Sequence, residues 1–340
     1  MLITLEFRNT HESSCIQKYG TTDVLHVQEV QKPTPKDNEI LIQVHAAEVT
    51  KTDCEIRSFN FAVKWFWLPL KIALGVFRPK KIILGGYLSG EVEAVGKNVS
   101  KFCPGDQVFG STGFTLGAHG EYVCLPEDSS LALKPNNLTF EEAAAVPLGD
   151  LNALHFLNRA NMQKGEKVLI IGAGGSIGTF GVQIAKAMGA EVSAVNSTIK
   201  EAMLRKLGVD HFLDYTKSDF AVDVMSYDVI LNMVAQNSYS KNTKALKPQG
   251  RYLMANPRLS NMLRAIITSK LTDKTAIVAF TEEKVEELYT LKEMIEANKI
   301  KPIVDKIYSY EQAAEAHLIV ETEQMLGAIV ICPRLKSDPL

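Results

Sequence analysis

The feature that most constrains this fold is an apolar segment that runs directly into a glycine-rich turn and then into a helix. The stretch is VLIIGAGGSIGTFGVQIAKAMGA, residues 168–190. Glycines let a backbone turn tightly and approach a pyrophosphate, and the helix N-terminus offers free N–H groups and a positive dipole end to that anion. The stretch therefore predicts a dinucleotide site formed by Gly172, Gly174, Gly175, Ser176, Ile177 and Gly178. A tight strand–helix turn without a ligand is the alternative.

The pattern of segments around this turn predicts the fold class. From about residue 150, short apolar segments such as KVLII, EVSAV and YDVILNM alternate with helical ones, which is typical of βαβ units and a parallel sheet. The segments before residue 150 are short strands separated by turn signals. We therefore expect an α/β protein whose doubly wound Rossmann sheet, in residues 150–298, accompanies a β-rich domain. That domain takes residues 1–149 and resumes at 299–340.

Composition excludes several classes of protein. A chain of 340 residues exceeds what one core usually supports, so two domains are expected. The net charge of -2 provides no basic field for nucleic acid. The five cysteines are scattered and odd in number, which predicts neither a disulfide framework nor a zinc ribbon. Reduced thiols and the lack of a secretory signal in residues 1–14 favour a cytoplasmic protein.

The segment after the second strand of the repeat bears on the choice of dinucleotide. NAD sites usually carry an acidic residue there, whereas this chain has Asn196, Ser197, Thr198 and Lys200. The two hydroxyls can donate hydrogen bonds to a 2′-phosphate, Lys200 supplies positive charge, and Tyr215 ends the next strand. These residues favour NADP(H). For each of them, the alternative is that it is a solvated loop residue without a role in binding. Asn232 and Asn256 follow later strands, at the sheet edge where ligands bind.

The chain resembles the zinc-free quinone oxidoreductase branch of the medium-chain dehydrogenase/reductase superfamily. The resemblance covers about residues 15–331 and rests on a series of motifs in order: KYGTTDVL, EVEAVGKNVSKFCPGDQVFG, LTFEEAAAVPL, GAGGSIGTFGVQIAKAMGAEV, LGVDHFLDYTKSDF, KPQGRY and YEQAAEAH. It implies a GroES-like β domain interrupted by a Rossmann domain, an active site in the cleft between them, and a homodimer.

The same resemblance implies that no metal is bound. Zinc members place a ligand Cys where this chain has Thr50, and His and Glu where it has Gly86 and Tyr87. A catalytic zinc needs about three Cys, His or carboxylate ligands. Without a metal to acidify an alcohol, the favoured reaction is hydride transfer to an electron-poor quinone or α,β-unsaturated carbonyl.

Candidate catalytic residues also come from the resemblance. The related enzymes carry an N-P-x-D-x-Y-I-R type stretch near the nicotinamide, and this chain reads TKTDCEIR at 50–57. Thr50 and Asp53 match polar positions, but Glu55 replaces the Tyr. The alternatives to these catalytic roles are that Asp53 is a turn or cap residue and that Glu55 is a solvated carboxylate. Asn152 stands where the family often has a Thr near the cofactor, and a helix N-terminal role is its alternative.

We therefore predict an NADPH-dependent, zinc-independent reductase that acts on a small, apolar, electron-poor substrate. Two alternatives stay open: an NADPH-binding sensor or scaffold with little turnover, and a metal-independent alcohol or aldehyde oxidoreductase.

An aromatic and basic segment, residues 59–81, contains both tryptophans of the chain and several interleaved lysines. Three interpretations stay open: a lid over an apolar acceptor, a weak contact with a membrane surface, and a loop folded onto the β domain or into a dimer.

Overall fold

A computed structural model of the chain describes residues 9–61, 67–217, 225–235, 237–278, 283–333 and 335. Its strands are β1 (Thr10–Ile16), β2 (Leu25–Gln31), β3 (Glu39–Val49), β4 (Tyr87–Val95), β5 (Gln107–Ser111), β6 (Tyr122–Pro126), β7 (Leu131–Leu133), β8 (Lys167–Ile171), β9 (Glu191–Asn196), β10 (His211–Asp214), β11 (Tyr227–Asn232), β12 (Leu246–Met254), β13 (Thr275–Val278), β14 (Val304–Ser309) and β15 (Ala328–Cys332). Its α-helices are α1 (Lys51–Ser58), α2 (Trp67–Leu74), α3 (Phe140–Ala144), α4 (Pro147–Arg159), α5 (Ser176–Ala187), α6 (Glu201–Lys206), α7 (Tyr239–Ala245), α8 (Leu259–Leu271), α9 (Val285–Glu296) and α10 (Ala313–Glu321).

A six-stranded parallel sheet holds the glycine-rich turn. Its strand order is β10-β9-β8-β11-β12-β13, which is the doubly wound order of dinucleotide-binding folds. The order reverses between β8 and β11, so the turn that follows β8 lies at the switch point of the sheet. The fully apolar segment Val168–Ile171 is buried because helices cover both faces of such a sheet. The predicted α/β fold class is confirmed.

A second sheet of seven strands is mainly antiparallel and joins strands from both ends of the chain. Its order is β14-β15-β3-β4-β5-β7, with β6 paired to β3. Strand β15 pairs antiparallel with β3, where Ile329 faces Val49 and Ile331 faces Ala47. The carboxyl end of β3 is thereby fixed between β15 and β4, and this strand end leads into the candidate site.

Four further features bear on the sequence predictions. All five cysteines are free thiols. No helix in the described part of the chain has the length and apolar character that crossing a bilayer requires. Helix α8 was not predicted from the sequence, although it carries a stripe of apolar residues. Of the aromatic segment, residues 62–66 lie outside the described residues.

Candidate active site

The glycine-rich turn is shaped by two glycines, one required by its backbone conformation and the other by a close backbone contact. Gly172 has a φ of 85°, a conformation that strains a residue with a side chain. A Cβ on Gly178 would lie 2.4 Å from the Gly172 carbonyl oxygen and 2.5 Å from Ala173 Cα. Helix α5 therefore packs directly against the end of β8, and its first turn faces the switch point of the sheet.

Gly175 differs from its neighbours because it leaves open space. A Cβ on Gly175 would come no nearer than 3.8 Å to the Gly172 carbonyl oxygen. Helix α5 begins at the next residue, Ser176, and the N–H groups of its first turn have no acceptor within the helix. An anion placed over Gly175 would meet these N–H groups and the positive end of the helix dipole. The turn therefore fits a pyrophosphate.

The residues after β9 lie beside this turn, but the hydroxyl hydrogen of one of them already has an acceptor within the protein. Thr198 donates its hydroxyl hydrogen to Asp214, which ends β10 and pairs in register with Asn196. The hydrogen bond from Thr198, with others from Thr216, holds the pKa of Asp214 at about 2. The end of β9 itself carries no acid, but Asp214 brings one beside it from the end of β10. Thr198 has no free hydroxyl hydrogen for a 2′-phosphate because a hydroxyl donates only once.

Lys200 and Asn196 lie underneath the turn. Lys200 is buried, its Nζ lies 3.4 Å from the Gly174 carbonyl oxygen, and burial lowers its pKa. A Cβ on Gly174 would lie 2.8 Å from both Asn196 Nδ2 and Lys200 Cγ. Ser197 is half-buried and Tyr215 is exposed. Lys200 thus contributes positive charge close to the turn, rather than on an open loop.

Glu48, which we did not predict as a site residue from the sequence, reaches the turn from the other sheet. Ser176 donates a 2.7 Å hydrogen bond to Glu48 Oε1, and this bond joins the start of α5 to the end of β3. Glu48 is 1% exposed, and Oε2 has no hydrogen-bond partner among the described residues. Burial raises the pKa of Glu48 to about 8. A single acidic residue in the apolar run VHAAEV was the signal that could have identified it.

The groups around Glu48 are buried and mainly paired. Asp53 raises the pKa of Glu48 further. Burial raises the pKa of Tyr87 well above its usual value, and the charges of Glu283, Glu48 and Asp53 raise it further. His119 Nε2 lies 3.4 Å from the Glu48 backbone oxygen, and burial lowers the pKa of His119. Burial, together with the lack of a cation among these neighbours, favours the protonated form of the Glu48 carboxyl group near neutral pH.

Thr50 and Asp53 form a capping box at the start of α1. Asp53 Oδ2 accepts hydrogen bonds from the Thr50 N–H (2.8 Å) and hydroxyl (2.6 Å), and Oδ1 accepts one from the Gly85 N–H. Asp53 therefore has the capping role that the sequence left open as an alternative to a catalytic one. Their polar atoms hold the helix start, and the catalytic assignment of Thr50 and Asp53 stays a prediction. Glu55 lies half-buried further along α1.

The asparagines at the site bind the protein's own backbone. Asn152 donates to the Leu148 carbonyl oxygen four residues earlier in α4, so it does not cap the start of that helix. Asn232 accepts a hydrogen bond from the Val234 N–H and donates to the Tyr252 hydroxyl at 2.9 Å. Asn256 donates to the Met233 carbonyl oxygen. Asn232 and Asn256 thereby fix the backbone after β11, beside the glycine-rich turn.

The positions that hold zinc in related dehydrogenases have other roles here. The Thr50 hydroxyl is bonded to Asp53, and Tyr87 donates a 2.8 Å hydrogen bond to Glu283. Among the residues that the structure describes, no group of three or more His, Cys, Asp or Glu side chains could hold a metal ion.

Comparisons with known proteins relate both sheets to reductases. The alcohol dehydrogenase GroES-like domain matches residues 36–136, and a family described as zinc-binding dehydrogenase matches residues 207–331. The chain is 29% identical to 2-methylene-furan-3-one reductase of Solanum lycopersicum over 93% of this chain and 77% of that protein. It is 31% identical to the mitochondrial NAD(P)H oxidoreductase RTN4IP1 of Bos taurus over 93% of this chain and 87% of that protein. The solved quinone oxidoreductase of Coxiella burnetii superimposes with a TM-score of 0.84 at 27% identity, covering 96% of this chain and all of that one.

Proposed function

We propose that this chain, which belongs to the quinone oxidoreductase-like branch of the medium-chain dehydrogenase/reductase superfamily, is an NADPH-dependent and zinc-independent reductase of a quinone or an α,β-unsaturated carbonyl. One observation carries the proposal: a glycine-rich turn at the switch point of a parallel sheet faces the end of β3 from the second sheet. The acceptor would enter the cleft between the two sheets.

The residues around the turn would have different roles in binding the cofactor. The first N–H groups of α5 would hold the pyrophosphate, and Gly175 would leave room for it. NADPH supplies the hydride when it is bound. Glu48 holds a proton at neutral pH, so its carboxyl group does not repel an anion at the turn.

The preference for NADPH over NADH rests on Lys200 and Ser197, since Thr198 is bonded to Asp214. Zinc independence is supported by the bonded states of Thr50 and Tyr87. The relatives named as a furanone reductase and a quinone oxidoreductase reduce acceptors of the class that we propose.

We expect the purified protein to oxidise NADPH in the presence of an apolar quinone or an enone, at least tenfold faster than NADH and at an unchanged rate in EDTA. A hydride acceptor with a conjugated carbonyl needs no metal, because hydrogen-bond donors can stabilise the oxyanion that forms. Steady-state absorbance at 340 nm measures the rate. Tight NADPH binding without turnover on any acceptor would favour the sensor or scaffold, and turnover on simple alcohols would favour an alcohol oxidoreductase.

We further propose a homodimer through the outer strand β13 and helix α8. Leu263, Ile266, Ile267 and Leu271 of α8 are more than half exposed, and β13 ends the sheet order. An apolar stripe beside a free strand edge is a typical association surface. Light scattering should give twice the chain mass of 37.5 kDa. Replacing Leu263 and Ile267 with Glu should yield monomers, whereas a wild-type monomer at micromolar concentration would contradict the proposal.

A further inference from the structure

Helix α2 is apolar except for Lys71, yet one side of it faces water. Its inner side chains, Leu70 and Leu74, pack on the buried cluster that contains Ile16, Val24 and Leu84. On the outer side, Leu68 and Ile72 are each 60% exposed, and Ala73 is exposed between them. A helix without a polar face is normally buried on both sides. Within the described part of the chain, the outer face of α2 therefore has no packing partner, although its composition favours burial.

The exposed apolar surface continues past the end of the helix. Val76 is 47% exposed and Phe77 is 92% exposed. The turn that presents them is held in place, since the Tyr19 hydroxyl lies within hydrogen-bond distance of both the Leu74 (3.0 Å) and the Gly75 (2.9 Å) carbonyl oxygens. Lys80 donates a 2.8 Å hydrogen bond to the Ile72 carbonyl oxygen. Phe77 is thus held outward by a fixed turn.

The charge of this region has one sign. Residues 56–90 contain no Asp or Glu, although the chain has more acidic than basic residues overall. The same stretch contains Lys71, Arg78, Lys80 and Lys81, of which the last three are exposed. Basic side chains around exposed apolar ones match the headgroup layer of an anionic bilayer, where apolar groups insert and cations stay at the surface.

We propose that Leu68, Ile72, Val76, Phe77, Arg78, Lys80 and Lys81, which we call the α2 surface, dock the protein on an anionic lipid bilayer. A second copy of the chain fits this surface poorly, because two identical positive patches would face each other. A lid over the chain's own site also fits poorly, because Leu70 and Leu74 hold the opposite face of the helix against the core. The α2 surface does not depend on the proposed reductase activity.

The test is co-sedimentation of the full chain with vesicles of phosphatidylcholine, alone or with 30 mol% phosphatidylserine, at low and physiological salt. We expect binding to the anionic vesicles that weakens with salt, and little binding to the neutral ones. Phe77→Ser and Ile72→Ser should each weaken the partition coefficient about tenfold, because each removes an inserted side chain. The double variant Lys80→Glu/Lys81→Glu should weaken it at least tenfold.

Leu318→Ser, at an exposed position of α10, and Lys306→Glu, at an exposed position of β14, are the matched controls and should bind as the wild type does. Thermal unfolding of each variant shows that the fold is kept. Failure of the wild type to bind anionic vesicles at low salt would overturn the proposal, as would equal binding by the α2-surface variants. Either result would point instead to a protein partner, and turnover with a water-soluble acceptor would be unaffected.

Discussion

Replacing Gly178 with alanine is expected to weaken NADPH binding more than a hundredfold and to destabilise the fold by about 1–3 kcal/mol. The new Cβ would lie 2.4–2.6 Å from backbone atoms of Gly172 and Ala173. No side chain can move aside to relieve that contact, so the turn itself must shift away from the start of α5. Fluorescence titration with NADPH and urea unfolding of the free protein measure the two effects.

Gly175→Ala is the matched variant that separates binding from folding. Its Cβ meets no atom nearer than 3.8 Å, and the residue has a φ of -91°, which alanine adopts without strain. We expect unchanged or slightly higher stability, because alanine lowers the entropy of the unfolded chain. The methyl group would nevertheless occupy the space over which the pyrophosphate is proposed to lie, so NADPH affinity should fall at least tenfold. Wild-type affinity in this variant would show that the turn does not hold the cofactor.

The glycine-rich turn was predictable because its determinants are local. The apolar strand Val168–Ile171, the turn and helix α5 are consecutive in the chain, and each follows from residue types within a few positions. The parallel direction of the strands followed from the alternation of strands and helices. The same local rules did not identify α8, whose outer face is as apolar as a buried one.

The contacts that define the site were not predictable in the same way. Ser176 and Glu48 are 128 residues apart in sequence, and only the packing of the two sheets brings them together. Asp214 was visible at the end of a predicted strand, but its contact with Thr198 depends on the register between β9 and β10. The polar residues Thr50 and Asp53 matched a family motif, yet a motif does not reveal whether a hydroxyl is already bonded to a neighbour.

Changing Glu48 to glutamine is expected to make the protein more stable than the wild type as the pH rises from 5 to 8. The wild-type carboxyl group has a pKa of about 8 when folded and an ordinary value of 4.5. Between these values the folded protein keeps a proton that the unfolded chain has released, so rising pH favours unfolding. Each pH unit then removes about 1.4 kcal/mol from the free energy of unfolding. The difference between the two proteins should grow by roughly 4 kcal/mol over this range and level off above pH 8.

Urea unfolding of the two proteins at each pH measures this difference directly. The pKa values of His119 and His317 are lowered by burial, but both histidines are present in wild type and variant, so their contributions largely cancel. Glu311→Gln, which changes an exposed carboxyl group, is the control and should track the wild type at every pH. The same ionisation should weaken NADPH binding above pH 8 in the wild type alone, because a charged Glu48 beside Ser176 would repel a pyrophosphate at the turn. If the stability difference between wild type and Glu48→Gln stays constant from pH 5 to pH 8, Glu48 is ionised in the folded protein and cannot be the neutral group that this site requires.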